Sequence, residues 1–380
     1  MISRRDSGGK TFVFFLVIVV LFFSSWCCGC TQENRGSNQV IIPTEKIVFN
    51  DSLGNRVELS HTATRIVAGN SAVAEMLVTI GAGDRIVGIT DSVKIRPEIM
   101  EKISPTVVSI GTADTPDLET IITLKPDVLL LYGPSSGHQA QNLERILSSN
   151  ISVITLDCYK FEGVSNDAYA LGVLTNNSDG ASKYIRFNQK YEHLVQSRLL
   201  NLTPEEIPRV YAESSSDYTV LNRATGIGQI LDALHARNAY GDSTTYEFPK
   251  LNPEWVIEKN PDIILKSVES INGTNLSEVH SQIVSRTGYD QVKAVEDQRV
   301  FVYNSEILGR PQVVIGLVYF AKVLYPDRFA DIDPVSIEEE YAQQFGFGSH
   351  MKERLYPSIR SRISGSIFYE NNTIRNSTRV

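Results

Sequence analysis

The 380-residue chain has few cysteines, scattered histidines and no run of basic residues after its first ten positions. Three of its four cysteines lie within the first 30 residues, so Cys158 alone can form neither an internal disulfide nor a metal site. Its apolar neighbours favour a small buried residue in or beside a strand. No two of the six histidines stand at ligand spacing, which disfavours a bare metal ion as ligand. The net charge of -8 argues against nucleic-acid binding.

The first 30 residues are typical of an export signal. Arg4, Arg5 and Lys10 precede an apolar run from Phe12 to Phe23, and the segment ends in Gly29-Cys30. This pattern predicts a lipoprotein signal with Cys30 as the lipid anchor; the alternative is a plain N-terminal membrane anchor. Residues 31–44 are polar and predict a tether. We therefore expect an exported protein on the outer face of the cytoplasmic membrane.

Acceptor sequences for N-glycosylation, Asn-x-Ser/Thr, are more frequent than chance composition gives. They begin at Asn50, Asn150, Asn176, Asn201, Asn272, Asn275, Asn371 and Asn376. Their excess fits a glycoprotein surface outside the membrane.

Short apolar strands alternate with amphipathic helices along most of the chain, a pattern that predicts parallel sheets covered by helices. One uninterrupted helical pattern spans 179–202 and divides this alternation. We expect an α/β protein with two similar lobes, each a parallel sheet flanked by helices, joined by one long backbone helix. The predicted lobes are 45–178 and 203–345, and 346–380 is a C-terminal tail.

An internal repeat supports the two lobes. Residues 118–130 and 253–265 align without gaps, and each copy has an acid near a helix start, a Pro-Asp break and a buried strand. Paired α/β lobes create a cleft at the strand ends, where such sheets bind ligands.

Several segments resemble the periplasmic binding proteins for vitamin B12 and ferric siderophores. The resemblance rests on the order and spacing of Asp51-x-x-Gly54, Arg65-Ile66-Val67, the segments 81–88 and 124–128, and 321–326. It implies a non-enzymatic subunit of an ABC importer that captures a metal chelate, such as a corrinoid, a ferric siderophore or haem. The cargo would be delivered to a permease dimer with separate ATPase subunits. In that family one surface glutamate per lobe docks on the permease, and the matching positions here are Glu119 and Glu254. No resident cofactor is implied.

Loops that follow predicted strands supply the candidate ligand residues. Tyrosines there could stack on a flat chelate, and an arginine could clamp a carboxylate or phosphate. The candidates are Asn70, Ser71, Tyr132, Tyr159, Tyr218, Tyr246 and Arg310.

Two other functions remain open at this point. Gly133-Pro134-Ser135-Ser136-Gly137 matches the nucleophile elbow of serine hydrolases, with Ser135 as nucleophile and His235 or His280 as base. A tethered module that senses or scavenges a ligand without a transporter would keep the same fold.

Overall fold

A β-hairpin begins the described part of the protein. The computed structural model describes residues 46–133, 150–241, 243, 248–269, 274–348, 355–356, 358–359 and 369–370. β1 (Ile47–Asn50) and β2 (Arg56–Leu59) pair antiparallel. The Asp51 carboxylate accepts hydrogen bonds from the backbone N–H groups of Leu53 and Asn55 at 2.9 and 2.8 Å, which closes the turn between the two strands.

The first sheet has five parallel strands in the order β5-β4-β3-β6-β7. They are β3 (Ile66–Ala68), β4 (Ile86–Ile89), β5 (Val108–Ser109), β6 (Val128–Leu131) and β7 (Ser152–Thr155). β3 and β6 are buried throughout because helices cover both faces of the sheet, which explains their unbroken apolar sequences.

Four helices of the described chain accompany this sheet. They are α1 (Ser71–Thr79), α2 (Asp91–Lys94), α3 (Pro97–Met100) and α4 (Leu118–Leu124), with a 3₁₀ turn at Gly83–Arg85. α1 begins at Ser71 because the Asn70 side chain accepts the Val73 N–H at 2.7 Å and caps the helix. Gly81, with φ of 85°, follows the end of α1.

Two packed helices lead out of the first sheet. α5 spans Val164–Leu174, and α6 spans Ser178–Arg198, where the sequence predicts the long helix. α6 buries Tyr184, Phe187 and Tyr191 along one face and exposes charged residues on the other.

The second sheet has the order β12-β11-β10-β8-β9 and is parallel except at β12. Its strands are β8 (Arg209–Glu213), β9 (Arg237–Asn238), β10 (Ile263–Val268), β11 (Val300–Asn304) and β12 (Leu355–Tyr356). β12 lies within the tail, so this part of the tail completes the sheet edge. β13 (Ser358–Ile359) and β14 (Tyr369–Glu370) form a separate antiparallel pair.

The helices described after α6 cover the second sheet and pack back on α6. They are α7 (Gly226–Ala233), α8 (Pro253–Lys259), α9 (Leu276–Val284), α10 (Lys293–Glu296), α11 (Val313–Leu324) and α12 (Pro334–Phe345), with 3₁₀ turns at Tyr289–Gln291 and Ser305–Ile307.

The two sheets share one topology, which confirms the prediction of two similar α/β lobes. The order β4-β3-β6-β7 in the first lobe matches β9-β8-β10-β11 in the second. The repeat also has matching bonds: Asp127 accepts the Arg65 backbone N–H at 2.9 Å, and Asp262 accepts that of Arg209 at 2.7 Å. Both arginine side chains donate to carbonyls at the end of the repeat helix that leads to this aspartate, Arg65 to Leu124 and Arg209 to Lys259.

The largest apolar cluster of the described residues runs through both lobes, and two smaller clusters lie within the second and the first lobe. The α6 rings of Tyr184 and Phe187 pack edge-on against Phe345 of α12, with centroids 6.0 and 5.7 Å apart. The Tyr184 hydroxyl also donates to the Pro311 carbonyl at 2.5 Å. α6 is therefore packed into the second lobe as well as the first.

Candidate functional site

A cavity of about 340 Å³ lies between the lobes, at the carboxyl ends of the strands. From the first lobe it is lined by Tyr159, which follows β7. The second lobe contributes Leu221, Thr225, Gly226, Ile227, Ser267, Tyr303, Ser305, Glu306, Leu308 and Gly309. This is the position at which α/β sheets bind ligands, and the volume is at the lower end of that of small-molecule sites.

Three candidate residues of the first lobe, Ser71, Tyr132 and Tyr159, lie together, and Tyr159 lines the cavity. The rings of Tyr132 and Tyr159 pack edge to face, with centroids 5.8 Å apart. Burial raises the pKa of the Tyr132 hydroxyl, while a hydrogen bond with Ser71 and the charge of Arg96 oppose that shift. Tyr132 therefore stays neutral at physiological pH, and the pair presents aromatic surface with hydroxyl groups.

Asn70 stabilises the local structure of the first lobe next to these tyrosines. It is fully buried, its carbonyl caps α1, and its amide nitrogen donates to the Leu156 carbonyl at 3.3 Å. A ligand role for Asn70 stays a prediction.

The turn before Tyr159 is fixed by a buried carboxylate. Cys158 is buried and has a left-handed φ of 56°. Its N–H donates to Asp167 at 2.8 Å, and the Ser52 hydroxyl donates to the other oxygen of that carboxylate at 2.7 Å. Burial raises the pKa of Asp167 to about 6. Asp167 therefore positions the backbone that carries Tyr159, a task with no sequence signal.

The second-lobe wall is largely neutral. Leu221, Ile227 and Leu308 give apolar surface, and Ser267 hydrogen-bonds with Tyr303. Such a wall suits an organic ligand that makes few directed hydrogen bonds.

Tyr218 is not among the described residues that line the cavity. The Tyr218 ring lies 4.4 Å from the Arg286 guanidinium, which pairs with the buried Glu213 carboxylate through two 2.8 Å bonds. Tyr218 thus packs on an ion-pair cluster of its own lobe. Tyr246 lies outside the described residues. Their ligand roles stay predictions.

Arg310 joins the lobes instead of facing the cavity. Its side chain is 6% exposed, and Nε and Nη2 donate to Glu75 of α1 and Glu98 of α3 at 2.8 and 2.9 Å. Gln312 donates to the other Glu75 oxygen at 2.6 Å. Burial raises the pKa of Glu75, while the charge of Arg310 lowers it. The guanidinium predicted to clamp a ligand is therefore engaged in a buried bridge between lobes.

A second ion pair crosses between the lobes at the cavity. Arg96, between α2 and α3, donates from Nη2 to Glu306 at 3.0 Å, and the side chains are 19% and 23% exposed. The sequence does not single out Arg96, because it lies beyond the loop that directly follows β4.

The predicted docking glutamates occupy equivalent positions in the repeat. Glu119 and Glu254 are exposed in the first turns of α4 and α8. Each helix ends in a left-handed residue, Lys125 or Asn260, and leads directly into a strand. Each helix therefore runs antiparallel to the strand that follows it. Its first turn lies near the carboxyl end of that strand, at the sheet edge that faces the cavity.

A larger cavity of about 460 Å³ lies at the opposite edge of the first sheet. Its lining includes His61, Lys125, Asn150 and Ser152, all of one lobe. We assign the site to the smaller cavity because only that one uses both lobes and the carboxyl ends of the strands.

The hydrolase alternative has no described nucleophile, since Ser135 lies outside the described residues, as does Cys30. Among the residues that the structure does describe, no three His, Cys, Asp or Glu side chains group as a metal site. Within the same ranges no helix has the length and hydropathy to cross a membrane.

The paired lobes, their shared topology and the cavity between them define a two-lobed α/β binding protein. Residues 66–307, from β3 to the 3₁₀ turn after β11, match the family described as periplasmic binding protein. The chain belongs to that family.

Three relatives illustrate the range of proteins that the chain resembles. The uncharacterized ABC transporter substrate-binding lipoprotein YvrC of Bacillus subtilis is 24% identical, covering 75% of this chain and 87% of its own. The molybdate-binding protein MolA of Haemophilus influenzae is 24% identical, with 78% and 90% covered. The vitamin B12-binding protein of Vibrio cholerae is 21% identical, with 66% and 84% covered.

Solved structures share the fold. The TroA-like periplasmic binding protein FepB from Veillonella parvula superposes with a TM-score of 0.65 at 21% identity, covering 79% of this chain and 96% of that one.

Proposed function

We propose that this protein is the extracytoplasmic solute-binding subunit of an ABC importer, which holds its cargo between the lobes and passes it to a permease. The observation that carries the proposal is the combination of the cavity with Glu119 and Glu254, one exposed acid per lobe at equivalent helix starts. Two carboxylates in a pseudo-symmetric arrangement suit a permease dimer that presents a cation to each. The name of YvrC supports the same assignment.

The proposed cargo is a metal chelate, such as a corrinoid, a ferric siderophore or haem. Its organic shell would meet Tyr159, the apolar side chains of the second lobe and a few hydroxyls. The B12-binding relative supports this class. Molybdate is the alternative that the similarity to MolA favours, and it is included in the test.

The proposal includes a tether. Cys30 would be lipidated after export and would hold the protein on the outer face of the cytoplasmic membrane, with glycans on some acceptor asparagines. YvrC is also named a lipoprotein. Metabolic labelling with a radioactive fatty acid tests the anchor: label should enter the wild-type chain and be absent from Cys30→Ser.

Cargo binding is tested on the protein by intrinsic fluorescence during titration with cobalamin, cobinamide, haem, ferric siderophores and molybdate. We expect sub-micromolar affinity for one chelate class. Binding of molybdate alone would replace the chelate with an oxyanion as cargo, and silence across the panel would overturn the binding function.

Docking is tested by uptake in the native cells. The double variant Glu119→Gln/Glu254→Gln should bind cargo as the wild type does, yet lose at least about tenfold in uptake, because each lost charge-assisted contact weakens docking by 1 kcal/mol or more. The matched control is Glu101→Gln/Glu258→Gln, which removes two exposed acids away from the helix starts. Normal uptake by the double variant would contradict docking through these two carboxylates, whereas uptake that is the same with and without the protein would favour a tethered sensing module without a transporter.

A further inference from the structure

Arg96 is only partly used by the fold. Of its donors, Nη2 meets Glu306 at 3.0 Å across the lobes. Nε is buried and has no hydrogen-bond partner among the described residues. A buried guanidinium donor without a partner costs free energy, so this side chain can gain a bond that the present arrangement does not make.

The bridge from Arg310 to Glu75 and Glu98 differs from the Arg96–Glu306 pair, because it is more deeply buried and has more partners. Arg310 is 6% exposed and meets two carboxylates, and Gln312 completes the shell of Glu75. That bridge holds the lobes together whether or not Arg96 keeps its partner. The Arg96 contact is therefore the one that can open without separating the lobes.

The Arg96–Glu306 pair lies at the edge of the cavity through Glu306. Glu306 lines the cavity together with Tyr159 and Gly309. Arg96 lies close enough to Tyr132 for its charge to lower the pKa of that hydroxyl against the effect of burial. An anionic group entering beside Tyr159 would thus meet Arg96 and compete with Glu306.

We propose that Arg96 recognises an anionic group of the cargo, a carboxylate or a phosphate ester, and that Glu306 is the counter-ion it displaces. The inference rests on the proposed function and narrows its cargo to chelates that carry such a group. Two cargo oxygens accept hydrogen bonds from Nε and Nη2 of Arg96, the planar bidentate geometry that guanidinium favours. The exchange leaves Arg96 paired in both states, so no partly buried charge is stranded, and Glu306 turns to water.

The two possible roles of Glu306, a displaceable counter-ion or part of a structural bridge, predict opposite effects of its removal on cargo affinity. If the pair only holds the cavity wall, removing either partner disturbs the wall and weakens binding. If Glu306 competes with the cargo, removing it strengthens the binding of anions, while removing Arg96 weakens it.

The test uses two matched pairs of probes. Cobalamin carries a phosphodiester that cobinamide lacks, and ferric citrate is anionic whereas ferrichrome is neutral. Affinities are measured for wild type, Arg96→Gln, Arg96→Lys and Glu306→Gln, each checked for folding by circular dichroism and thermal melting. Glu98→Gln, which alters the permanent bridge, is the control.

For the member of the binding pair that carries the anionic group, we expect Arg96→Gln to weaken affinity about tenfold or more and Glu306→Gln to strengthen it about threefold or more. Arg96→Lys should restore part of the loss, and Glu98→Gln should give no gain. The member that lacks the anionic group should change less than about twofold in each Arg96 or Glu306 variant.

Each other result overturns the inference. Weaker binding in both Arg96→Gln and Glu306→Gln identifies a structural bridge. Binding only of the chelates that lack the anionic group removes the anionic cargo but leaves the proposed function. Silence of all four probes also removes the anionic cargo, and the wider panel with haem and molybdate then decides the proposed function separately.

Discussion

Replacing Arg310 by methionine would measure how strongly the buried bridge holds the two lobes together. Methionine keeps much of the apolar stem but removes the guanidinium, so the Glu75 carboxylate, 1% exposed, loses its cationic partner. Removing one partner of a buried ion pair typically costs about 3–5 kcal/mol, because the other charge stays buried without compensation. We expect a loss of that size in the free energy of unfolding.

The loss should depend on pH. Burial already raises the pKa of Glu75, and the Arg310 charge is the largest opposing effect, with Arg96 adding to it and Glu98 acting against it. Without Arg310 the pKa rises further, so the folded variant holds a proton that the unfolded chain releases above its usual pKa. The folded state then binds more protons, and its stability falls as pH rises. The deficit of the variant should grow from about pH 4.5 to neutral pH.

Chemical denaturation at several pH values between 4.5 and 7.5 checks both the loss of unfolding free energy and its increase with pH. Lys46→Met, which removes an exposed pair with Glu58, is the control and should change nothing measurable. Adding Glu75→Gln to Arg310→Met should recover part of the loss, because no carboxylate is then left buried without a partner. An Arg310→Met protein as stable as wild type at every pH would refute the bridge.

Two further predictions concern the positioning of the site. Because the pKa of Asp167 is raised to about 6, the unfolding free energy of wild type should fall by about 2 kcal/mol relative to Asp167→Asn between about pH 4 and 6, and parallel denaturation curves for the two proteins across that range would contradict it. Gly180→Ala should destabilise the protein by about 1–3 kcal/mol although alanine favours helices, because its Cβ would lie 2.0 Å from the Ile80 carbonyl oxygen. Gly163→Ala, with no atom within 4 Å of a new Cβ, is the control, and equal melting temperatures of the two alanine variants would contradict the clash.

The lobes were predictable because their signals are local. Strand-length apolar runs, helix stops such as Pro126 and the repeat of 118–130 in 253–265 each depend on neighbours in sequence. The two-residue strand β12 gives no such signal, because it is too short to show a periodicity.

The site was predictable only in part. Sequence places Tyr132, Tyr159 and Arg310 in loops after strands, but it does not give the partner that each side chain meets across the lobes. The partner of Arg310, Glu75, lies within the apolar helix α1 over 200 positions away, so the sequence does not indicate their contact, and a ligand role for Arg310 stays a prediction. The sequence does not single out Arg96 either, because its contact with Glu306 of the other lobe forms only in the folded protein.

The shared core has a consequence for how the chain can be divided. α6 buries aromatic rings that α12 covers, and its Tyr184 is anchored to Pro311. A fragment that ended after α6 would leave this aromatic face in water, and one that began after α6 would uncover α11 and α12. The lobes repeat each other in topology, yet neither carries a complete interior, so the pair should fold and melt as one cooperative unit rather than as two independent modules.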